Sequence, residues 1–304
     1  MITVAQPRPE PRGVVRQVRR ALALLLTGLL AVAAAPASAA PGKGIDATIA
    51  TSYAGQLRTF NLYVAPRVPT RTPVPLLIVL HGLYLDPATA EASSGLDAVA
   101  DSRDVAVAYP AGYQGSWNAG TCCGDSHAKG LDDVGFLVHV VHLVEKIRPI
   151  DLDRVYLAGF SNGAMMALKA ACDQPDVFAA AVSVSGTLQA PCAGSRPVNA
   201  MLIHGLRDTT VPYAGERRSK FLGVRLTPVP TAAAELAERS RCTGRTRTSA
   251  ARYTRLQYVG CAGGTSVQLL TVPGLGHRWP DAEHDRVDGG SLTWLFLQAQ
   301  RRPS

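Results

Sequence analysis

The chain has no apolar run long enough to cross a membrane as a helix. The longest, at 21–35, falls short of the roughly 20 residues that a membrane-spanning helix needs, so we expect no stable membrane anchor. The basic residues form no stripe with interleaved aromatics, which excludes the usual pattern of a nucleic-acid-binding surface. The six cysteines show no metal-ligand spacing with the histidines, so we expect no metal and no cofactor. Internal repeats and Ser/Pro-rich linkers are also missing, which favours one domain.

The first 39 residues have the layout of a secretory signal peptide. A segment with five arginines precedes the apolar run at 21–35, and Ala37-Ser38-Ala39 then supplies the small residues of a cleavage site. We therefore expect a signal peptide at 1–39, export from the cell, and a single domain at 40–304. Removing the leader takes away the five arginines and Glu10, so the formal net charge falls from +8 to +4.

The six cysteines fit an oxidising compartment. Two pairings are favoured because each closes a short local loop, namely Cys172–Cys192 and Cys242–Cys261. Each bridge would stabilise the fold by about 3 kcal/mol in the chain-entropy account. Cys122 and Cys123 remain, and they either bridge each other or leave one member to pair elsewhere.

Apolar runs of strand length alternate with helical patterns along the mature chain. Several runs are nearly continuous in Val, Ile, Leu and Ala, as in strands that are buried on both faces. The alternation predicts a doubly wound α/β fold with a mostly parallel sheet of about eight strands. Only about a dozen residues, 186–197, separate two of the later strands, so we expect no large lid. The predicted strands are 60–64, 76–80, 105–109, 154–158, 179–184, 200–204 and 267–272, and the predicted helices are 93–102, 133–147, 162–173, 232–239 and 291–299.

The most informative segment is Gly159-Phe160-Ser161-Asn162-Gly163, which reads Gly-x-Ser-x-Gly. It lies between a predicted strand and a predicted helix, and this context makes a short pattern specific. A turn this tight forces Ser161 into a strained conformation, and a Cβ at either glycine would collide with neighbouring backbone. The serine hydroxyl is thereby presented at a helix N-terminus, where a nucleophile and a developing oxyanion can both be served.

A serine hydroxyl needs a histidine base that a carboxylate holds in one tautomer. In an open α/β sheet such groups follow the C-terminal ends of strands. Asp208 follows the strand at 200–204, and His277 lies on a glycine-flanked turn after the strand at 267–272. The order Ser161, Asp208, His277 is that of the α/β-hydrolases. Asp208 could instead form an Asx turn, and weaker rivals for the acid are Asp281, Asp285 and Asp288.

Two backbone donors are expected for the oxyanion. One is the N–H of Asn162, directly after the nucleophile. The other comes from the loop His81-Gly82-Leu83-Tyr84, where Gly82 lets the chain turn so that the N–H of Leu83 points inward. His81 itself is expected to bond the loop rather than to act in catalysis.

Three aromatic residues are candidates for substrate contact. Trp117 lies in a turn-rich segment after the strand at 105–109, and it is either a substrate platform or a buried loop anchor. The same two alternatives hold for Trp279, two residues past His277. Tyr84 lies beside the expected oxyanion donor and completes the set.

The chain resembles the secreted bacterial esterase family of poly(3-hydroxybutyrate) depolymerases and feruloyl esterases. The likeness covers essentially all of the mature chain. It implies an α/β-hydrolase fold, a Ser161–Asp208–His277 triad and positions of Cys172 and Cys192 that suit pairing. The matching stretches are His81-Gly82, Trp117 to Gly124, Asp132 to Phe136, Arg154-Val155-Tyr156, Gly159 to Met166, His204-Gly205 with Asp208, and Gly276 to Pro280.

We therefore expect a secreted, monomeric serine carboxylic-ester hydrolase that works through an acyl-enzyme. The resemblance implies hydroxyalkanoate, feruloyl or acetyl esters, and short or oligomeric ones because no extra substrate-binding domain accompanies the esterase. Tyr84, Tyr113 and Trp117 could line an aromatic acyl pocket, which keeps the feruloyl option open. The alternatives are a secreted peptidase or acyltransferase with the same triad, or a non-catalytic wall- or glycan-binding protein on a hydrolase scaffold.

Overall fold

The computed structural model describes residues 44–303, so the predicted signal peptide at 1–39 lies outside the described residues. A ten-stranded sheet runs through this part of the chain. Its strands are β1 (Ile45–Tyr53), β2 (Gln56–Val64), β3 (Val74–Leu80), β4 (Ala106–Pro110), β5 (Ile150–Phe160), β6 (Ala180–Val184), β7 (Ala200–Gly205), β8 (Gly244–Ser249), β9 (Thr254–Val259) and β10 (Val267–Val272). The helices are α1 (Pro87–Ser94), α2 (Leu96–Ser102), α3 (Gly124–Ala128), α4 (Asp133–Ile147), α5 (Asn162–Asp173), α6 (Val229–Arg239) and α7 (Gly289–Leu297).

The centre of the sheet is parallel, and both its edges are antiparallel. The strand order is β1-β2-β4-β3-β5-β6-β7-β10-β9-β8. Strands from β4 to β10 in this order are parallel, whereas β1 and β2 on one side and β9 and β8 on the other run antiparallel to their neighbours. The predicted doubly wound, mostly parallel α/β arrangement is therefore confirmed, with ten strands instead of about eight.

Helices cover both faces of the sheet, which explains the nearly continuous apolar strands. In β3, Leu76 and Ile78 contribute to the core under α4, α5 and α6, while Leu77 and Val79 contribute to the core under α1, α2 and α7. Successive side chains of a strand point to opposite faces, so both sets must be apolar. All parallel strands end at the same edge, and the segments that follow β3, β5, β7 and β10 gather there.

Three strands and two helical regions differ from the sequence prediction. The edge strands β1, β8 and β9 were not predicted, because they lack a continuous apolar run; β8 is exposed along its whole length. The predicted helix at 93–102 is two helices, α1 and α2, because Gly95 between them has a positive φ of 67°. The short helix α3 was also not predicted.

All six cysteines of the described residues are paired. One disulfide joins Cys172, at the end of α5, to Cys192 in the loop after β6, and another joins Cys242, after α6, to Cys261, after β9. The adjacent Cys122 and Cys123 are bonded to each other. Within residues 44–303, none of the helices is long and apolar enough to span a bilayer.

Replacing Cys242 and Cys261 together with serine should lower the free energy of unfolding by about 3 kcal/mol, because a loop of roughly 20 residues is no longer closed in the unfolded chain. Urea denaturation of both proteins under non-reducing conditions measures the difference. The matched control replaces Thr246 and Thr248 on exposed β8 with serine and should change stability by less than about 0.5 kcal/mol. A loss below about 1 kcal/mol for the cysteine variant would contradict the chain-entropy account.

Candidate active site

Ser161 lies on a sharp turn between β5 and α5. Its backbone is strained, with φ 54° and ψ −118°, and its N–H donates to the carbonyl of Val184, 3.0 Å away. A Cβ at Gly159 would lie 2.4 Å from the carbonyl oxygen of Gly163, and one at Gly163 would lie 2.3 Å from that of His81. Contacts this short cannot form, so both glycines are required by the close approach of backbone segments rather than by a positive φ.

The side chains of Ser161, His277 and Asp208 form a continuous hydrogen-bonded line. His277 Nδ1 lies 2.8 Å from Asp208 Oδ2, and His277 Nε2 lies 2.9 Å from Ser161 Oγ. A carboxylate accepts only, so Nδ1 carries the proton and Nε2 is free to accept from the serine hydroxyl. Asp208 and Ser161 are buried, while the His277 side chain is 18% exposed. This arrangement can move a proton from the serine to the histidine and stabilise the resulting imidazolium.

Asp208 is held by its own loop as well as by His277. Its Oδ1 accepts from the N–H groups of Thr210 and Val211, at 3.0 and 2.8 Å. The Asx turn that competed with a catalytic role in the sequence is therefore present together with the contact to His277. One oxygen fixes the loop and the other faces the imidazole.

The three rival carboxylates have other partners. Asp281 and Asp285 bind the guanidinium of Arg278, at 2.8 and 2.5 Å. Asp288 caps α7 by accepting from the N–H of Ser291. None of the three has a recorded contact with His277.

His204, at the end of β7, belongs to a stretch that matches the family, but the sequence assigned it no role. Its Nε2 donates to the carbonyl of Val211 at 2.8 Å and lies 3.5 Å from Asp208 Oδ2. The ring is fully buried, and this burial lowers its pKa. A neutral His204 thus closes the loop that carries Asp208 without placing a positive charge beside the carboxylate. The available signals were its position directly before Gly205 in a predicted strand and the match of His204-Gly205 to the family.

The two expected oxyanion donors both have free backbone N–H groups. Among the described residues, the N–H groups of Leu83, its neighbour Gly82 and Asn162 have no recorded acceptor, whereas the N–H of Tyr84 donates to Gly115 at 2.7 Å. The positive φ of this loop belongs to Tyr84, at 59°. Gly82 was expected to provide the turn, but its constraint is the ring of Phe160, 3.0 Å from where its Cβ would be.

His81 bonds the loop, as expected. The N–H of Gly112 donates to its Nε2 at 2.9 Å, so Nδ1 carries the proton and donates to the carbonyl of Gly82 at 2.8 Å. Burial lowers the pKa of His81, which keeps this bonding pattern in the neutral tautomer.

Trp117 is not a substrate platform, and this corrects the prediction of a substrate contact. The side chain is fully buried, and its Nε1–H donates to the carbonyl of His81 at 3.0 Å. The side chain of Asn162 clamps its backbone: the N–H of Trp117 donates to Asn162 Oδ1 at 2.8 Å, and Asn162 Nδ2 donates to the carbonyl of Trp117 at 3.0 Å. The residue after the nucleophile therefore ties the Trp117 segment to the turn.

A buried ion pair holds the same segment from the other side. Asp133, at the start of α4, binds Arg58 at 2.9 Å, and both side chains are nearly inaccessible. The other oxygen of Asp133 accepts from the N–H of Asn118 at 2.8 Å and from the hydroxyl of Ser126. The guanidinium of Arg58 also lies 3.9 Å from the centre of the Phe136 ring. The neighbouring Asp132 caps α4 by accepting from the N–H of Gly135 at 2.9 Å.

The remaining candidate contacts differ in exposure. Trp279 is only 6% exposed and packs in the core beneath α7, so its ring cannot serve as a platform. The Tyr84 side chain is 68% exposed, directly after the expected oxyanion donor Leu83. Phe160, before the nucleophile, has its ring 4.8 Å from that of His277.

In the part of the chain that the structure describes, no three His, Cys, Asp or Glu side chains are grouped to hold a metal ion.

Comparison with known proteins places this site in a family context. A family model described as esterase PHB depolymerase matches residues 58–215. NocK of Nocardia uniformis subsp. tsuyamanensis, which carries a provisional esterase name, is 37% identical over 166 residues, 53% of this chain and 48% of that protein. Feruloyl esterase B of Piromyces equi is 30% identical over 236 residues, 74% of this chain and 42% of that protein.

The fold is shared with solved esterases. The structure of the acetyl xylan esterase from Aspergillus awamori has a TM-score of 0.56 and 16% identity, and the match covers 81% of this chain and 99% of that one. This likeness confirms the predicted α/β-hydrolase fold. The chain spans less than half of the length of the two curated relatives above.

Replacing Asp133 with alanine should lower the free energy of unfolding by about 3–5 kcal/mol, because it leaves the guanidinium of Arg58 buried without a counter-ion. Replacing the neighbouring Asp132 with alanine should cost only about 1 kcal/mol, the usual value of an N-cap. Urea denaturation followed by circular dichroism measures both. Equal losses for the two variants would show that the buried pair is not the stronger constraint.

Proposed function

This chain belongs to the esterase PHB depolymerase family, and from that membership we propose that it hydrolyses carboxylic esters through a serine-bound acyl-enzyme. Ser161 is the nucleophile, His277 the general base and Asp208 the carboxylate that orients the base. The observation that carries the proposal is the contact of one imidazole with both the Ser161 hydroxyl, at 2.9 Å, and the Asp208 carboxylate, at 2.8 Å.

The reaction takes place in two steps. In the first, Ser161 Oγ attacks the ester carbonyl while its proton passes to His277 Nε2, and the carbonyl oxygen becomes an oxyanion that the N–H groups of Asn162 and Leu83 bind. The tetrahedral intermediate collapses, His277 gives its proton to the departing alcohol, and an acyl-enzyme remains. In the second, water attacks the acyl-enzyme with His277 as base again, which releases the acid and restores the Ser161 hydroxyl. The chain's own side chains and water supply every proton and electron pair.

The substrate class follows from the relatives and from the rim of the site. Two of the three similar proteins named above are a feruloyl esterase and an acetyl xylan esterase, which supports esters carried on plant polysaccharide as the favoured substrates, with short hydroxyalkanoate esters as the family's other option. Tyr84, exposed beside Leu83, is the aromatic residue available to contact an acyl group. With Trp117 buried, an acyl pocket would be formed by the loop of Tyr84 and by Tyr113.

The protein is proposed to act outside the cell as a monomer. The predicted signal peptide at 1–39 and three disulfides support export to an oxidising compartment. All three members of the proton-transfer line and both candidate oxyanion donors come from one chain, so the site needs no second subunit.

Replacing Ser161 with alanine should lower kcat for p-nitrophenyl acetate and methyl ferulate by about 10⁴-fold or more, because only the oxyanion donors would then remain. The thermal midpoint should stay close to that of the wild type, which serves as the folding control. Hydrolysis by this variant at the wild-type rate would refute the assignment of the nucleophile.

The alternatives are separated by substrates and by covalent labelling. A secreted peptidase would cleave peptide amides in the same assay series, and an acyltransferase would favour an added alcohol over water as the acyl acceptor. A non-catalytic scaffold would fail to react with a fluorophosphonate probe, whereas the proposed esterase should be labelled at Ser161 and not in the alanine variant.

A further inference from the structure

A surface groove follows one side of α6. It consists of two adjoining depressions of about 460 and 600 Å³ that share Pro191 and Glu235 as lining residues. One wall is the loop after β6, and the other is α6 with the segments on either side of it. The groove extends from Thr121 and Arg225 at one end to Arg241 at the other, and α6 alone rises about 16 Å between them. It is therefore long and open rather than a closed cavity.

The walls of the groove are fixed before any ligand binds. Cys192, in its lining, is bonded to Cys172 of α5. Arg239 of α6 donates to the carbonyl of Cys192 at 3.0 Å, which joins the two walls. Near the other end, Gln189 Nε2 donates to the carbonyl of Arg225 at 2.9 Å. A groove held in this way loses little conformational entropy on binding, which favours affinity.

The lining carries charges of both signs that do not pair with each other. Three arginines and two glutamates line the groove, namely Arg225, Arg239, Arg241, Glu235 and Glu238, and within the described residues none of them has an ion-pair partner within 4.0 Å. A ligand with many hydroxyl groups suits such a surface, because each hydroxyl can accept from a guanidinium and donate to a carboxylate. Because two glutamates lie among the three arginines, the lining is not the uniformly positive surface that suits a polyanion such as a nucleic acid or an anionic membrane.

One end of the groove is connected to the nucleophile turn through the loop after β6. Gly186 packs against Ser161, since its Cβ would lie 2.9 Å from the Ser161 carbonyl oxygen. Gln189, in the lining, is three residues further on, so it lies at most about 11 Å from Gly186. Gln189 also binds Thr121, whose N–H donates to its carbonyl at 2.9 Å. This end of the groove is therefore nearer to Ser161 than the end at Cys192, which is bonded to Cys172 at the far end of α5, and it is the end from which a chain molecule would present a substituent.

We propose that this groove is a glycan-binding site, which holds the oligosaccharide part of an ester substrate while Ser161 acts on its acyl group. The inference rests on the proposed esterase function and adds to it a recognition site for the polysaccharide chain. It predicts that the enzyme distinguishes a sugar-bound ester from a small ester of the same acid.

The test compares methyl ferulate with a feruloylated arabinoxylan oligosaccharide. Replacing Ala193, an exposed lining residue, with tryptophan should block the groove and raise KM for the oligosaccharide ester about tenfold, with kcat retained. Replacing Arg225 and Glu235 together with glutamine should have the same direction of effect. The matched control replaces Ala234, an exposed residue of α6 outside the lining, with tryptophan and should leave both substrates unaffected.

Direct binding supplies the second readout. Calorimetry with xylohexaose and the full-length Ser161→Ala protein should show binding that Ala193→Trp removes and Ala234→Trp retains. Unchanged oligosaccharide kinetics in the Ala193→Trp and Arg225→Gln/Glu235→Gln proteins would overturn the inference while methyl ferulate hydrolysis still supports the esterase. Equal binding to heparin or to anionic vesicles, lost in 0.5 M salt, would also overturn it, because the groove would then be a general charged surface. Loss of methyl ferulate hydrolysis in the wild type would instead refute the proposed function itself.

Discussion

The backbone of Ser161 is the constraint on which the site depends. Its φ of 54° with ψ −118° is a conformation that costs of order 1–3 kcal/mol and persists only where the surroundings determine it. Here β5 delivers the chain to the turn, Gly159 and Gly163 allow the strand and helix to touch, and the Ser161 N–H is bound by β6. As a result of this conformation, the Ser161 hydroxyl lies within hydrogen-bonding distance of His277, and the N–H of Asn162 remains free at the start of α5. A relaxed turn would lose both at once.

Buried polar contacts connect the nucleophile turn to the neighbouring loop and fix the position of that loop. Asn162 binds the backbone of Trp117 with both its side-chain donor and its acceptor, and Asp133 binds the next residue, Asn118. Such fully satisfied networks are rigid because leaving any member unpaired in the interior is costly. The segment of Trp117 is thus a structural support for the nucleophile turn, and its buried tryptophan also binds the carbonyl of His81.

The sequence predicted those features that local pattern encodes. Seven apolar runs correspond to seven strands, and Ser161, Asp208 and His277 were selected because each follows a predicted strand. Pairings between distant segments had no such local signal: Arg58 and Asp133 are 75 positions apart, and Asn162 and Trp117 are 45 apart. The same limit explains Trp117 itself, since an aromatic residue in a turn-rich segment has the same pattern whether it is exposed or buried. The polar strand β8 was missed because it gains its hydrogen bonds from β9 and buries no apolar face.

The nucleophile turn and the wall of the groove are connected through a closed loop of the polypeptide chain. From Ser161, α5 leads to Cys172, the disulfide crosses to Cys192, and the loop returns through Gln189 to Gly186, which packs against Ser161 again. Arg239 fastens α6 to this closed loop through the carbonyl of Cys192. The wall of the groove and the nucleophile turn are therefore parts of one cross-linked unit. The disulfide between Cys172 and Cys192 resists a displacement of the wall relative to α5. Under the proposed function, this coupling would keep a constant distance between the groove and the Ser161 hydroxyl.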